Sequence, residues 1–184
     1  MAKIGLQNFL YGILTETGGT ASYGTAKKPA KAISCSVSIS NNDAKLYADD
    51  TIAESDTSFQ SGTVSLTIDD DDQTTMGDLL GHTITDGVMV RKSSDVAPYV
   101  GLGRIITKMV SGSYKYKVEF LAKVKMSEPS MDENTRGESL EFGTTTIEGI
   151  VTTLADGTWS KTKTFTTMSD AQSYLNGLFT NGSV

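Results

Sequence analysis

Tyr114-Lys115-Tyr116-Lys117-Val118-Glu119-Phe120-Leu121-Ala122-Lys123-Val124-Lys125-Met126 alternates with period two almost from end to end. Tyr114, Tyr116, Val118, Phe120, Ala122, Val124 and Met126 fall on one face. Lys115, Lys117, Glu119, Lys123 and Lys125 fall on the other, with Leu121 the only exception. A strand with one face on a core and one in water has this period. Tyr99–Val110 precedes it across Ser111-Gly112-Ser113, which predicts a long antiparallel hairpin with a glycine in its turn.

Working outward, the same alternation returns. In Ala32–Ser40, Ile33, Cys35, Val37 and Ile39 face one way and Ser34, Ser36, Ser38 and Ser40 the other. Thr63–Ile68 sends Val64, Leu66 and Ile68 inward. Ser139–Leu154 reads as a strand whose phase slips: Leu140 and Phe142 are in one step, Ile147, Gly149 and Val151 in the other. A bulge near Gly143–Thr146 explains the slip. Ala155-Asp156-Gly157 then turns the chain into Thr158–Thr166, which closes a second hairpin. Two helices are expected. Asp72–Leu80 has Met76, Leu79 and Leu80 at helical spacing and Gly81 as its stop. The last helix opens on a Ser169/Gln172 capping box and carries Ala171, Tyr174, Leu175, Leu178 and Phe179 as one stripe.

Composition agrees with this reading. The chain has 184 residues, with 18 Gly and 3 Pro, which suits one domain of strands and turns able to bury its own core. Its net charge of −6 gives it no electrostatic reason to coat a nucleic acid duplex, but suits a wall along which a polyanion slides. One cysteine excludes an internal disulfide, so folding in a reducing compartment is expected. There is no secretory h-region at Met1–Leu6 and no apolar run of membrane-spanning length, so no membrane partner is expected. Two stretches resist the strand scheme. Residues 15–31 read as a loop or arm, and residues 41–62 as a long, polar, charged connection. A structureless connection that long is unusual in a compact domain and is often functional. Residues 127–138, with Pro129 and Gly137, read as another polar loop.

The search for chemistry finds little. His82, the only histidine, follows a helix end where a polar side chain is ordinary. Cys35 shares a strand face with Ile33 and Val37 and reads as a small hydrophobe. The chain lacks the His and Cys ligands of a zinc site. Asp69-Asp70-Asp71-Asp72 lacks the ligand spacing of a calcium loop and reads as a helix N-terminal cap or an acidic surface. Gly101-Leu102-Gly103-Arg104 runs into strand residues Ile105 and Ile106, so close backbone approach explains it better than phosphate binding. Lys115, Lys117, Lys123 and Lys125 are either a solvated strand face or a contact for acidic loops of another subunit. Asn181-Gly182-Ser183 matches a glycosylation acceptor, without a context of secretion. No catalytic residues, metal or cofactor are expected.

Several longer strings resemble a known family. They are Pro29–Cys35, Asn41–Asp50, Glu54–Phe59, Gly62–Val64, Asp69–Asp72, Asp95–Gly103, Tyr114–Phe120, Ser127–Ser130 and Gly137–Ser139. Together, in order, they resemble the phi13-type major tail proteins of long-tailed siphophages of Gram-positive bacteria. The resemblance spans nearly the whole chain. It implies a mainly β fold: an antiparallel β-sandwich or partly closed barrel with a flanking α-helix, as a single domain over residues 1–184. The chain stops after the last helix, so the immunoglobulin-like domain that some tail proteins append is not expected.

What the resemblance implies for function is structural. Subunits form hexameric rings, the rings stack into a tube, and DNA passes through the lumen at infection. The partners implied are further copies of the chain, the tape measure protein and DNA in the lumen, and tail terminator and distal tail proteins at the ends. The implied location is the virion, after assembly in the host cytoplasm. A long loop reaches between rings in such families. The candidate is 41–62, with Asn42, Asp43, Lys45, Leu46, Tyr47, Asp49, Asp50, Glu54 and Phe59 as contacts. Leu46, Tyr47 and Phe59 are its anchors, since interfaces favour aromatic and apolar anchors amid polar residues. The alternatives are the inner tube of a contractile tail or injection machine, and a monomeric ligand-binding β-sandwich module.

Overall fold

The computed structural model describes residues 2–48, 51–131 and 143–180. It is mainly β, with twelve strands and two helices. The strands are β1 (Ala2–Thr17), β2 (Thr20–Tyr23), β3 (Ala32–Asn41), β4 (Ala44–Ala48), β5 (Thr51–Asp56) and β6 (Phe59–Ile68). After α1 (Gln73–Leu80) come β7 (Thr83–Thr85), β8 (Val88–Val90), β9 (Tyr99–Val110), β10 (Ser113–Met126), β11 (Thr145–Thr152) and β12 (Ser160–Phe165), then α2 (Met168–Thr180). The main sheet is antiparallel, in the order β2-β1-β9-β10-β11-β6-β3, with β12 also paired to β10. Hairpins β4–β5 and β7–β8 form separate two-stranded sheets.

The β9–β10 hairpin closes on Ser111 and Gly112, both with positive φ (48° and 79°), the turn geometry whose twist matches the strands. The longest strand, β1, has no simple alternation. Register shifts between Lys3 and Gly5 and between Gln7 and Leu10 break its period, which hid it from a pattern reading. Residues 15–31 are a loop only in part: their first half ends β1 and forms β2, while 24–31 hold no regular strand or helix. Gly18 and Gly19, at φ 59° and 84°, turn β1 into β2. The remainder is pinned by paired Tyr11–Lys27 backbone hydrogen bonds, and Lys31 N donates to Asp69 Oδ1 at 2.7 Å.

The strand that decided the sequence reading carries the main correction. A register shift between Leu121 and Val124 divides β10 into two phases. Before it, Val118, Phe120 and Ala122 join Leu10, Ile105, Leu154 and the α2 residues Ala171, Leu175 and Phe179 in one core. After it, Val124 and Met126 join Leu121 in the other core, with Val64, Leu66, Ile147, Val151 and the α1 residues Met76, Leu79 and Leu80. The single apolar face expected over Tyr114–Met126 is therefore two faces. The same shift lets β10 pair with β12 over Tyr116–Leu121 and with β11 over Lys123–Met126. Thr158–Thr166 thus returns onto β10 and not onto the strand before it.

The helices follow local rules. Asp72 caps α1 by accepting from Thr75 N at 3.0 Å, and Gly81 ends it at φ 80°. α2 is capped two residues earlier than expected, by Thr167, whose Oγ1 accepts from Asp170 N at 3.2 Å. Within Ser139–Leu154, β11 starts at Thr145, while Leu140 and Phe142 lie outside the described residues, as do Gly137–Ser139 and Asn181–Ser183.

Gly101 and Gly103 are explained by the helix above them. A Cβ on Gly103 would lie 2.4 Å from Leu175 Cδ1, and one on Gly101 2.6 Å from Tyr23 Cε1. The glycines let α2 and Tyr23 sit directly on the sheet backbone, and Tyr23, Phe120 and Phe179 meet edge to face there. Gly103→Ala is expected to lower stability by about 1–3 kcal/mol through overpacking. Urea unfolding of the variant checks this; an unchanged midpoint contradicts it.

Candidate assembly interface

The sheet has two long free margins. β3 pairs with β6 on one side, and no strand pairs with its other side among the described residues. β1 pairs with β9 along most of its length, but β2 covers its other side only over Leu14–Thr17. The two margins approach each other without forming a ladder. Between them lies a groove of about 520 Å³ lined by Ile4, Leu6, Ile33, Val37, Ile106 and neighbouring residues. Ile4 and Ile33 are each 53% exposed. The inward alternation expected for β3 holds only in part. A register shift between Ala32 and Ser34 turns Ile33 out of the core, while Cys35 and Val37 pack against it.

A polar cluster closes the groove floor. Arg104 donates Nε to Glu119 Oε2 at 2.8 Å and places Nη2 2.5 Å from the same oxygen. Its Nη1 donates to the Cys35 carbonyl at 2.5 Å, and Lys117 Nζ donates to Glu119 Oε1 at 2.9 Å. β9, β10 and β3 are thereby tied together across the gap. Burial works against the Glu119 charge, but the Lys117 hydrogen bond and the Arg104 guanidinium outweigh it and hold the carboxyl below its ordinary range. Burial pushes the Cys35 thiol up, against the lowering effect of Arg104, so it is a poor nucleophile, as its small-hydrophobe reading expects.

The expected contact segment is ordered β structure and not a structureless connection. β4 and β5 pair over Ala44–Ala48 and Thr51–Asp56, continuing beyond the β3–β6 ladder. Asn42 locks the root: its N donates to the Ser58 carbonyl at 2.8 Å and its Nδ2 to Ser58 Oγ at 3.0 Å. Asp43, Lys45 and Glu54 are exposed, with Lys45 3.0 Å from Asp43. Leu46 and Tyr47 stand in the ladder opposite Glu54 and Ile52, but their side chains lie outside the described residues, as do Asp49 and Asp50. Phe59 is not a projecting anchor. It stacks on Trp159, with centroids 4.6 Å apart and planes 2° off parallel, and packs against the core. One face of the Trp159 indole is thereby covered.

His82 is more embedded than its position after a helix suggested, with a side chain 3% exposed. Its Nδ1 lies 2.9 Å from Asp95 Oδ2 and its Nε2 2.5 Å from Glu128 Oε1, off the hydrogen-bond line. The ring and the Lys92 N–H hold the Asp95 carboxyl below its ordinary value. Both nitrogens face carboxylates, so neither is placed to activate a nucleophile. No local pattern signals this cluster, because its members are 13 or more residues apart and meet only in the fold.

Three of the four lysines on β10 have partners within the chain. Lys117 serves Glu119, Lys123 pairs with Glu16, and Lys123 and Lys125 both sit over the Tyr99 ring. The face bearing Ser34, Ser36 and Ser38 continues through Thr67, Ser65 and Thr63 to Thr146, Glu148 and Ile150 on β11. Glu148 is the only charged residue on that patch. Among the described residues, no group of His, Cys, Asp and Glu is placed to hold a metal ion, and no helix is long and apolar enough to cross a membrane. No protein-family model matches the chain, and no curated protein matches it.

Glu119→Gln is expected to destabilise the chain by about 1–3 kcal/mol at neutral pH, since Arg104 and Lys117 keep their charge with one fewer carboxylate. The wild-type Glu119 pKa is lowered by folding, so its contribution is present above the unfolded value of about 4.3 and is lost as pH falls through the folded value. The stability gap between variant and wild type therefore closes in acid. Chemical denaturation from pH 7 to pH 3 measures it; a gap independent of pH contradicts the assignment.

Proposed function

We propose that this chain is the repeating subunit of a bacteriophage tail tube, with no catalytic role. One observation supports this most: two unpaired sheet margins flank an apolar groove at the surface. An open edge with exposed isoleucines is an aggregation hazard in a monomer and a pairing surface in an assembly. In this reading the strands β1, β9, β10, β11, β6 and β3 form a partly closed barrel, and a neighbouring copy pairs with its open seam. Rings close by rotation and stack head to tail into a tube.

The resemblance over most of the chain points the same way and suggests hexameric rings. The hydroxyl-lined face around Ser36, Ser65 and Glu148 carries no lysine or arginine on β3, β6 and β11, and meets Lys125 only at its β10 border, opposite Ile150. It suits a wall past which a polyanion slides. The proposed partners are further copies, the tape measure protein and DNA inside, terminator and distal tail proteins at the ends.

Magnitudes constrain how assembly proceeds. A backbone hydrogen bond contributes about 0.5–1.5 kcal/mol net. A ladder along ten-residue β3 therefore supplies several kcal/mol. Association costs about 4–15 kcal/mol in lost freedom. Edge pairing alone stands near balance, so burial in the groove and further contacts decide the outcome.

Negative-stain electron microscopy of concentrated protein is expected to show rings or ringed tubes. Ile33→Lys, which places a charge in the groove, is expected to abolish them while the melting temperature stays within a few degrees. Monodisperse wild-type monomers at every concentration would sink the reading.

A further inference from the structure

The ladders align two lysines: Lys108 on β9 stands opposite Lys115 on β10. Directly opposed residues share a face at about 5 Å between Cβ atoms, where like charges destabilise the sheet. Neither Lys108 nor Lys115 forms an ion pair among the described residues, and nearby Glu119 is already shared by Arg104 and Lys117. The row is a concentrated positive charge on a chain of net charge −6. The β4–β5 hairpin has the opposite character. Asp43, Glu54 and Asp56 project from it against Lys45 alone, and the sequence adds Asp49 and Asp50.

We infer that the acidic β4–β5 hairpin of one copy docks on the Lys108–Lys115 row of a neighbouring copy. The inference rests on the self-assembly reading and supplies the further contact that edge pairing needs. Its geometry is specific. Val124, Val151, Gly62 and Ile39 lie on one line across β10, β11, β6 and β3. From that line, β10 runs back to Lys115 in the same direction in which β3 runs on to Asn42. Hairpin and row therefore leave the same end of the sheet. Within one chain, neither Asp43, Glu54 nor Asp56 pairs with Lys108 or Lys115. Complementary charge at such a contact sets register and partner choice.

The test uses two full-length variants, Lys108→Glu/Lys115→Glu and Asp43→Lys/Glu54→Lys, followed by sedimentation velocity and electron microscopy. Each alone is expected to raise the concentration needed for assembly by about tenfold or more. An equimolar mixture is expected to assemble near the wild-type concentration, because each variant's hairpin then meets an oppositely charged row. Raising salt from about 0.05 to 0.5 M should weaken wild-type assembly. Melting curves establish that each variant folds, and the milder Lys115→Gln replaces any that does not. Variants that assemble like wild type overturn this inference alone. Rescue only when all four substitutions are in one chain shows an intramolecular contact and also overturns it. So does unchanged assembly with lost affinity for duplex DNA, which assigns the row to a polyanion. A wild-type chain that never self-associates removes both this inference and the tube reading.

Discussion

The register shift between Leu121 and Val124 is the constraint on which the rest of the molecule depends. Strand side chains alternate with a strict period of two, so a strand without a shift offers one core one face. The shift gives β10 an apolar face toward α2 in its first half and an apolar face toward α1 in its second. It also divides the margin of β10 between β12 and β11. The sheet can then curl with both faces filled, and its two ends come near each other without meeting.

That near approach leaves the groove between β1 and β3. Arg104 bridges it by donating to the Cys35 carbonyl while Glu119 holds the guanidinium from the other side. The paired guanidinium spans the gap that a backbone ladder would otherwise close. The seam therefore stays open in a single copy, with Ile4 and Ile33 on its walls. In the proposed assembly, the open seam, the acidic hairpin and the cross-strand lysine row are the three features that a neighbouring copy would complete.

Much of the architecture was legible in the residues because it rests on local rules. Period-two alternation located β3, β6 and β10, the Ser111-Gly112 turn joined β10 to β9 in the long hairpin, and Asp72 and Gly81 bracketed α1. β1 escaped because two register shifts scramble its alternation. The β4–β5 hairpin escaped because a polar, charged strand pair that touches no core carries no hydrophobic period. The apolar contacts expected of that segment were only partly legible: Phe59 looked like a projecting anchor until Trp159 was seen stacked upon it.

By itself, then, the sequence determined the class of the fold, the main hairpin and the apolar residues that fill its cores, since these follow from periodicity and composition. Only the tertiary structure decided which way β10 faces along its length, that His82 lies between Asp95 and Glu128, and that Lys108 aligns with Lys115. Each of these depends on register between distant segments. A one-residue slip reverses every side chain on a strand, and no local rule specifies that slip.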